Sequence, residues 1–136
     1  MKPLISVIIP AYNAQKYIRQ AVESVIQQTT DADIEVLVID DGSTDSTKEI
    51  VHELQEECRS RKMDHREICY CPNEKNMGVA ESRNNGIRKA NGAYIAFLDA
   101  DDWWETDKIE KQLQALEASN AVLCATAREL VRADGK

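Results

Sequence analysis

Three observations predict an α/β domain built on a mostly parallel sheet. Apolar, β-branched runs of strand length recur, first as LISVIIP at Leu4 to Pro10 and again as IEVLVID at Ile34 to Asp40. Continuous runs of this kind belong to strands covered on both faces. Each run is followed by apolar residues at helical spacing, and strands alternating with helices imply βαβ units with right-handed crossovers.

The elements follow in order. After the first strand, Ala11-Tyr12-Asn13 forms a loop, and Ile18, Ala21, Val22, Val25 and Ile26 mark one face of a helix. The second strand ends at Asp40; Asp41-Gly42-Ser43-Thr44-Asp45 supplies a turn and capping residues for a helix through Ile50, Val51 and Leu54. The polar stretch Glu57 to His65 is expected to close that helix as a loop. Glu67 to Pro72 makes a shorter third strand with Ile68 and Tyr70 on one face. Asn73 to Gly78 is a loop and Val79 to Ala90 a helix, stopped by Asn91-Gly92. A fourth strand, fit for burial, runs from Ala93 into Asp99-Ala100-Asp101-Asp102-Trp103. Thr106 or Asp107 then caps a helix carrying Ile109, Leu113 and Leu116, and Ala121 to Ala127 reads as a fifth strand. Asp134-Gly135 is a hairpin signal, so the sheet is expected to be truncated after about the fifth strand, leaving an open edge that invites self-association.

With 136 residues the chain is one domain by length. Its formal charge of −7, without a Lys/Arg block, makes nucleic acid and anionic membrane poor partners. The longest apolar stretches are strand-sized and Met1-Lys2-Pro3-Leu4 leads straight into one of them, so neither a signal peptide nor a membrane span is expected and the expected compartment is the cytoplasm. The four cysteines, Cys58, Cys69, Cys71 and Cys124, form no CxxC pair, and His52 and His65 have no ligand spacing to them. Free thiols are expected rather than zinc or disulfides.

The chemistry is concentrated at strand ends. Three carboxylates, Asp99, Asp101 and Asp102, fall within four residues after an apolar run. In open α/β sheets ligands collect outside the carboxyl ends of the strands, and a hard divalent cation shared with substrate phosphates offsets such crowding. A solvated turn capping the next helix is the alternative. Pro10-Ala11-Tyr12-Asn13 and Asp40-Asp41-Gly42-Ser43 reach the same rim, where Tyr12 offers a flat surface for a base and Asp41 an acceptor for base N–H groups. Taken singly, Tyr12 fits equally as a core-edge aromatic, and Asp40 and Asp41 as caps of the second helix. Asn76 and Arg83 flank Gly78, and Arg83 suits an anionic phosphate or an ion pair with Glu81 or Glu74.

Together these residues resemble the family 2 glycosyltransferases of the GT-A, Rossmann-like fold. The matching segments are SVIIPAYNAQKYIRQAVESVIQQT, EVLVIDDGSTDST, NMGVAESRNNGIRKANGAYIAFLDADDW and DKIEKQL, in family order and at family spacing. The resemblance implies that residues 1–136 are the nucleotide-sugar-binding part of such a domain. It places Pro10, Ala11 and Tyr12 at the base, Asp41 as acceptor from the base and Asp40 shaping that pocket. Asn76, Gly78 and Arg83 would approach the diphosphate. Asp99, Ala100 and Asp101 form the DxD motif, with Asp99 near the ribose, Asp101 on Mg²⁺ or Mn²⁺, and Asp102 a supporting or substitute ligand.

The implied reaction is inverting transfer of a sugar from a nucleotide-sugar donor, a UDP-sugar by expectation, to a glycan or lipid-linked acceptor. The implied site is cytoplasmic, at the inner membrane surface where further segments provide for it. The general base and acceptor site are expected beyond residue 136, so no catalytic base is assigned, and a binding fragment without turnover is the alternative. A haloacid-dehalogenase-type phosphatase wants Thr or Val two residues past its second Asp, where this chain has Trp103. A receiver domain wants its acidic pair after the first strand, where this chain has Pro10-Ala11-Tyr12.

Overall fold

The computed structural model describes residues 4–119 and Cys124. They form β1 (Leu4–Ala11), α1 (Ile18–Ile26), β2 (Asp33–Asp40), α2 (Thr47–Ser60), β3 (Arg66–Pro72), α3 (Val79–Lys89), β4 (Tyr94–Phe97) and α4 (Lys108–Ser119). The sheet order is β3-β2-β1-β4 and every pairing is parallel, with Val7 beside both Val36 and Ala96. The strands alternate their side chains between two faces. On one face Ile5, Val7 and Ile9 of β1 and Ile34, Val36 and Val38 of β2 join buried residues of α1, α2 and α4, namely Ile18, Val22, Val25, Val51, Leu54 and Ile109. On the other face Ile8, Leu37 and Ile39 form a smaller cluster with Cys69, Cys71 and Ala90, beneath α3. The thiols among the described residues are free, and no described helix is long and apolar enough to cross a membrane.

Two expectations need correction. The stretch Glu57 to His65 does not begin as a loop, because α2 continues to Ser60. Cys58 is buried and extends the Val51, Leu54 stripe at helical spacing. On the polar side Glu57 receives Arg19 of α1 at 3.0 Å, within a cluster that also joins Arg19 to Glu23 and Glu53. The fourth strand is also shorter and barer than its apolar run implies: β4 spans four residues, with Ile95 and Phe97 left 43 % and 48 % exposed. It lies at the end of the described sheet, and α3 covers the neighbouring strands instead. The predicted fifth strand and the Asp134-Gly135 hairpin lie outside the described residues, apart from Cys124.

At the amino ends of the strands a buried polar knot ties the α3–β4 link to the sheet. Glu35 is 4 % exposed and accepts from Ser6 Oγ at 2.6 Å, Asn91 N–H at 2.7 Å and Asn91 Nδ2 at 3.2 Å. Burial raises its pKa, but these bonds outweigh burial and leave it below the ordinary glutamate value. Gly92 N–H donates to Ser6 Oγ at 2.8 Å. A Cβ on Gly92 would meet Ser6 Oγ at 2.6 Å, Ser6 N at 2.7 Å and Tyr94 O at 2.8 Å, two of them backbone atoms fixed in strands. Gly92→Ala is therefore expected to cost about 1–3 kcal/mol, the range for overpacking. Urea denaturation checks this, and an unchanged midpoint would show that the link can shift aside freely.

Candidate donor site at the carboxyl rim

A parallel sheet delivers every strand-to-helix loop to one edge, so the loops after β1, β2 and β4 share a rim. Pro10 and Ala11 end β1 beside Ile39 and Asp40. Asp41 N–H continues this seam by donating to Ala11 O at 2.8 Å. Tyr12 follows, 56 % exposed and outside the core. Asn13 has φ 47°, a left-handed conformation that asparagine adopts more readily than most residues. From it, the Asn13 N–H donates to Ser43 Oγ at 2.9 Å and Asn13 Oδ1 accepts the Thr44 N–H at 2.8 Å. Ala14 N–H donates to Thr47 Oγ1 at 2.9 Å, Gln15 N–H to Asp45 Oδ2 at 3.2 Å, and Ser46 N–H to Gln15 Oε1 at 3.1 Å. The first two loops are thus stitched into one surface.

Asp40 and Asp41 are buried and differently employed. Asp40 accepts the Ser43 N–H at 2.9 Å and the Tyr70 hydroxyl at 2.5 Å. Burial, then this bond to a carboxylate, raises the pKa of the Tyr70 phenol. Asp41 does not cap α2. Its carboxylate accepts from Met77 N–H at 2.7 Å, Gly78 N–H at 2.9 Å and Asn73 Nδ2 at 2.9 Å, holding the loop that starts α3. Burial raises the Asp41 pKa, but these donors and the Ser82 hydroxyl more than offset it, leaving the group below the usual carboxylate value. A carboxylate has about four acceptor positions, so most of Asp41's capacity is used within the chain. Asn76 Nδ2 adds a bond to Asp41 O at 3.2 Å. Gly78 reaches Asp41 at φ 90°, ψ 166°, backbone angles open essentially to glycine alone.

Helix α3 carries this arrangement to β4. Arg83 Nη2 donates to Asp99 Oδ1 at 2.9 Å, rather than pairing with Glu81 or Glu74. Asp102 N–H closes a turn on Asp99 O at 3.0 Å. Within that turn, carboxylate oxygens of Asp99, Asp101 and Asp102 lie within 4.8 Å of one another, all on exposed residues. Oxygens sharing one hard divalent ion lie at most about 4 Å apart for Mg²⁺ and about 5 Å for a larger ion, so this all-oxygen set suits such a cation by its donor chemistry and needs only small side-chain adjustment to close on Mg²⁺ or Mn²⁺. Ala100 between them is half-buried against the core.

The rim therefore joins the predicted residues of β1, β2, α3 and the acidic turn: Asp41 grips the start of α3, and Arg83 of α3 grips Asp99. The sequence matches the family model for glycosyl transferase family 2 over residues 6–134. The chain belongs to glycosyltransferase family 2. This family 2 chain is 40 % identical over 135 residues to TuaG of Bacillus subtilis (strain 168), named as a glycosyltransferase of teichuronic acid biosynthesis, covering 98 % of this chain and 50 % of TuaG. It superposes on S. aureus TarS 1-349 in complex with UDP-GlcNAc with a TM-score of 0.74 and 30 % identity, over 88 % of this chain and 32 % of that one. A mannosyltransferase of Pyrobaculum calidifontis, PcManGT, in complex with GDP-Man and Mn²⁺, gives 0.72 and 25 %, over 85 % of this chain and 33 % of that one. The family 2 chain thus spans half the length of TuaG and about a third of these solved chains. Its parallel sheet and flanking helices are those of the GT-A fold.

Several residues that hold the rim together were not singled out from the sequence. Asn13 and Asn73 each follow a strand end, where an amide that can bond neighbouring backbone is a usable signal. Tyr70 reads as an ordinary strand aromatic. Gln28 gives only the signal of a polar side chain at the end of an apolar helix, yet it is 5 % exposed.

Proposed function

We propose that this chain is the donor-binding part of an inverting glycosyltransferase that moves a sugar from a nucleoside diphosphate carrier to an acceptor hydroxyl, in polysaccharide assembly on the cytoplasmic side of a membrane. The observation that carries the proposal is the acidic turn, spaced for one cation and linked through Arg83 and α3 to the Asp41 loop. In this reading the base lies against Tyr12 and the Pro10-Ala11 backbone, with Asp41 at the pocket wall and Asp40 fixing the turn beneath it. Asn76, Gly78 and Arg83 line the approach of the diphosphate, and Asp99 faces the ribose. Asp101, with Asp99 and in support Asp102, would hold a divalent ion; once bound, the ion supplies Lewis-acid neutralisation of the departing diphosphate.

The reaction joins the acceptor oxygen to the anomeric carbon as the carbon–oxygen bond to the β-phosphate breaks, its electron pair leaving with the nucleoside diphosphate. The acceptor proton passes to a general base, a role assigned to none of the described residues. Names of relatives favour a transferase over a module that only binds the donor. The acceptor is proposed to be a glycan or a lipid-linked saccharide.

Thermal unfolding with a panel of nucleoside diphosphates, with and without Mn²⁺, tests this. A ligand at 100 times its Kd stabilises by about 2.7 kcal/mol, so UDP with Mn²⁺ is expected to raise Tm by several degrees, and UDP alone by less. Absence of any shift with every nucleoside diphosphate, in both conditions, would overturn the proposal.

A further inference from the structure

A buried amide far from the rim in sequence holds the segment that leads from the acidic turn into α4. Gln28 Nε2 donates to Ser24 O at 2.9 Å and to Glu105 O at 2.7 Å, while Gln28 Oε1 accepts the Ile109 N–H at 2.9 Å. The side chain thus ties the end of α1 to the strand-to-helix link and to the first turn of α4, where it satisfies an amide that has no partner within the helix. Beside it Thr29 N–H donates to Thr106 O at 2.8 Å. The anchor is itself fixed. Arg66 of β3 donates to the carbonyls of Ile26 at 3.1 Å, Gln28 at 3.0 Å, Thr30 at 2.8 Å and Ala32 at 2.8 Å.

The acidic turn, closed by Asp102 N–H on Asp99 O and gripped by Arg83, lies between this anchor downstream and a second one upstream, Leu98 N–H on Ile8 O at 3.0 Å. Three carboxylates held close repel one another, and a turn tied at one end only would relax by spreading them. With both ends tied, their spacing is set before an ion arrives, and a preorganised site binds more tightly than one that must be ordered. We propose that Gln28 is a positioning residue that sets the divalent-cation affinity of the Asp99–Asp102 turn. This rests on that turn being the metal site of the proposed function.

Gln28→Met keeps the length and the burial of the side chain and removes all three bonds. Mn²⁺ affinity in the presence of UDP, read from the paramagnetic resonance of free Mn²⁺, is expected to fall about tenfold or more, in the range reported for residues that support metal ligands. UDP affinity without metal should not change. Thr29→Val, which removes only the exposed hydroxyl bond to Glu110 Oε2 at 2.9 Å, should leave Mn²⁺ affinity as it is. Equal Mn²⁺ affinity in Gln28→Met and the parent, or an equal loss in Thr29→Val, overturns the role of Gln28 while the metal site stands. A parent that binds no Mn²⁺ removes both. Should Gln28→Met not fold, amide exchange in the parent decides, because coupling is reciprocal: Mg²⁺ with UDP should slow exchange of the Ile109 amide, and unchanged exchange overturns the proposal.

Discussion

Asp41→Ala is expected to destabilise the fold by on the order of 3 kcal/mol, the cost of leaving buried donors without their charged acceptor. The residue is 5 % exposed, and its oxygens receive two backbone N–H groups and one side-chain amide. Without the carboxylate, Met77 and Gly78 lose their acceptor and the start of α3 loses its tie to β2. The effect carries a pH signature. The folded pKa of Asp41 lies below its unfolded value, so its contribution is complete above the unfolded pKa, about 3.9, and is lost as pH falls through the lower folded value. Urea titrations from pH 7 down to pH 3 should show part of the parent's acid sensitivity missing from Asp41→Ala. Nucleoside binding should weaken as well, even without metal, because the proposed pocket wall and the proposed diphosphate loop share this carboxylate. Equal urea midpoints, or equal nucleoside affinity, would each contradict the corresponding half.

Asp101→Asn should act in opposite directions on binding and stability. Removal of one carboxylate from the set of three leaves two charged ligands, and calorimetric affinity for UDP in Mn²⁺ is expected to fall at least about 10- to 100-fold, since even residues that support a metal ligand cost that much. In a chelator the same substitution removes a repelling charge from a cluster within 4.8 Å, so Tm should stay level or rise slightly. A variant that merely damaged the fold would lose both. Unchanged affinity in Mn²⁺ would take Asp101 out of the site, and the DxD assignment with it.

Much of the fold was legible because a continuous apolar run in a parallel sheet leaves few other places to go. Every residue from Ile5 to Ile9 and from Ile34 to Asp40 is buried. The same signal overstated β4, since an apolar run does not say whether anything lies on top of it: Ile95 and Phe97 share the face of Ile8, but α3 packs chiefly over β1 and β2 and leaves them half-exposed. Charges around Cys58 concealed the last turn of α2: Glu57 pairs with Arg19 of α1, and Arg59 with Glu56 within α2 itself. The acidic turn was readable as local chemistry, three acids after a strand. The position of Asp41 on the rim was readable too, but its partners were not: Met77 and Gly78 offer backbone N–H groups from 36 and 37 residues away. Any residue but proline carries such a donor, so composition could not point to these two.

The stitching of Asn13 to Ser43 and Thr44 bears on how the proposed donor site could be re-tuned for another nucleotide. Two loops that share hydrogen bonds constrain each other, because a change at Asn13 takes from the Thr44 N–H an acceptor that only water then replaces. If Tyr12 and its neighbours hold the base as proposed, varying both loops jointly preserves the bonds across the seam that varying one loop alone would break.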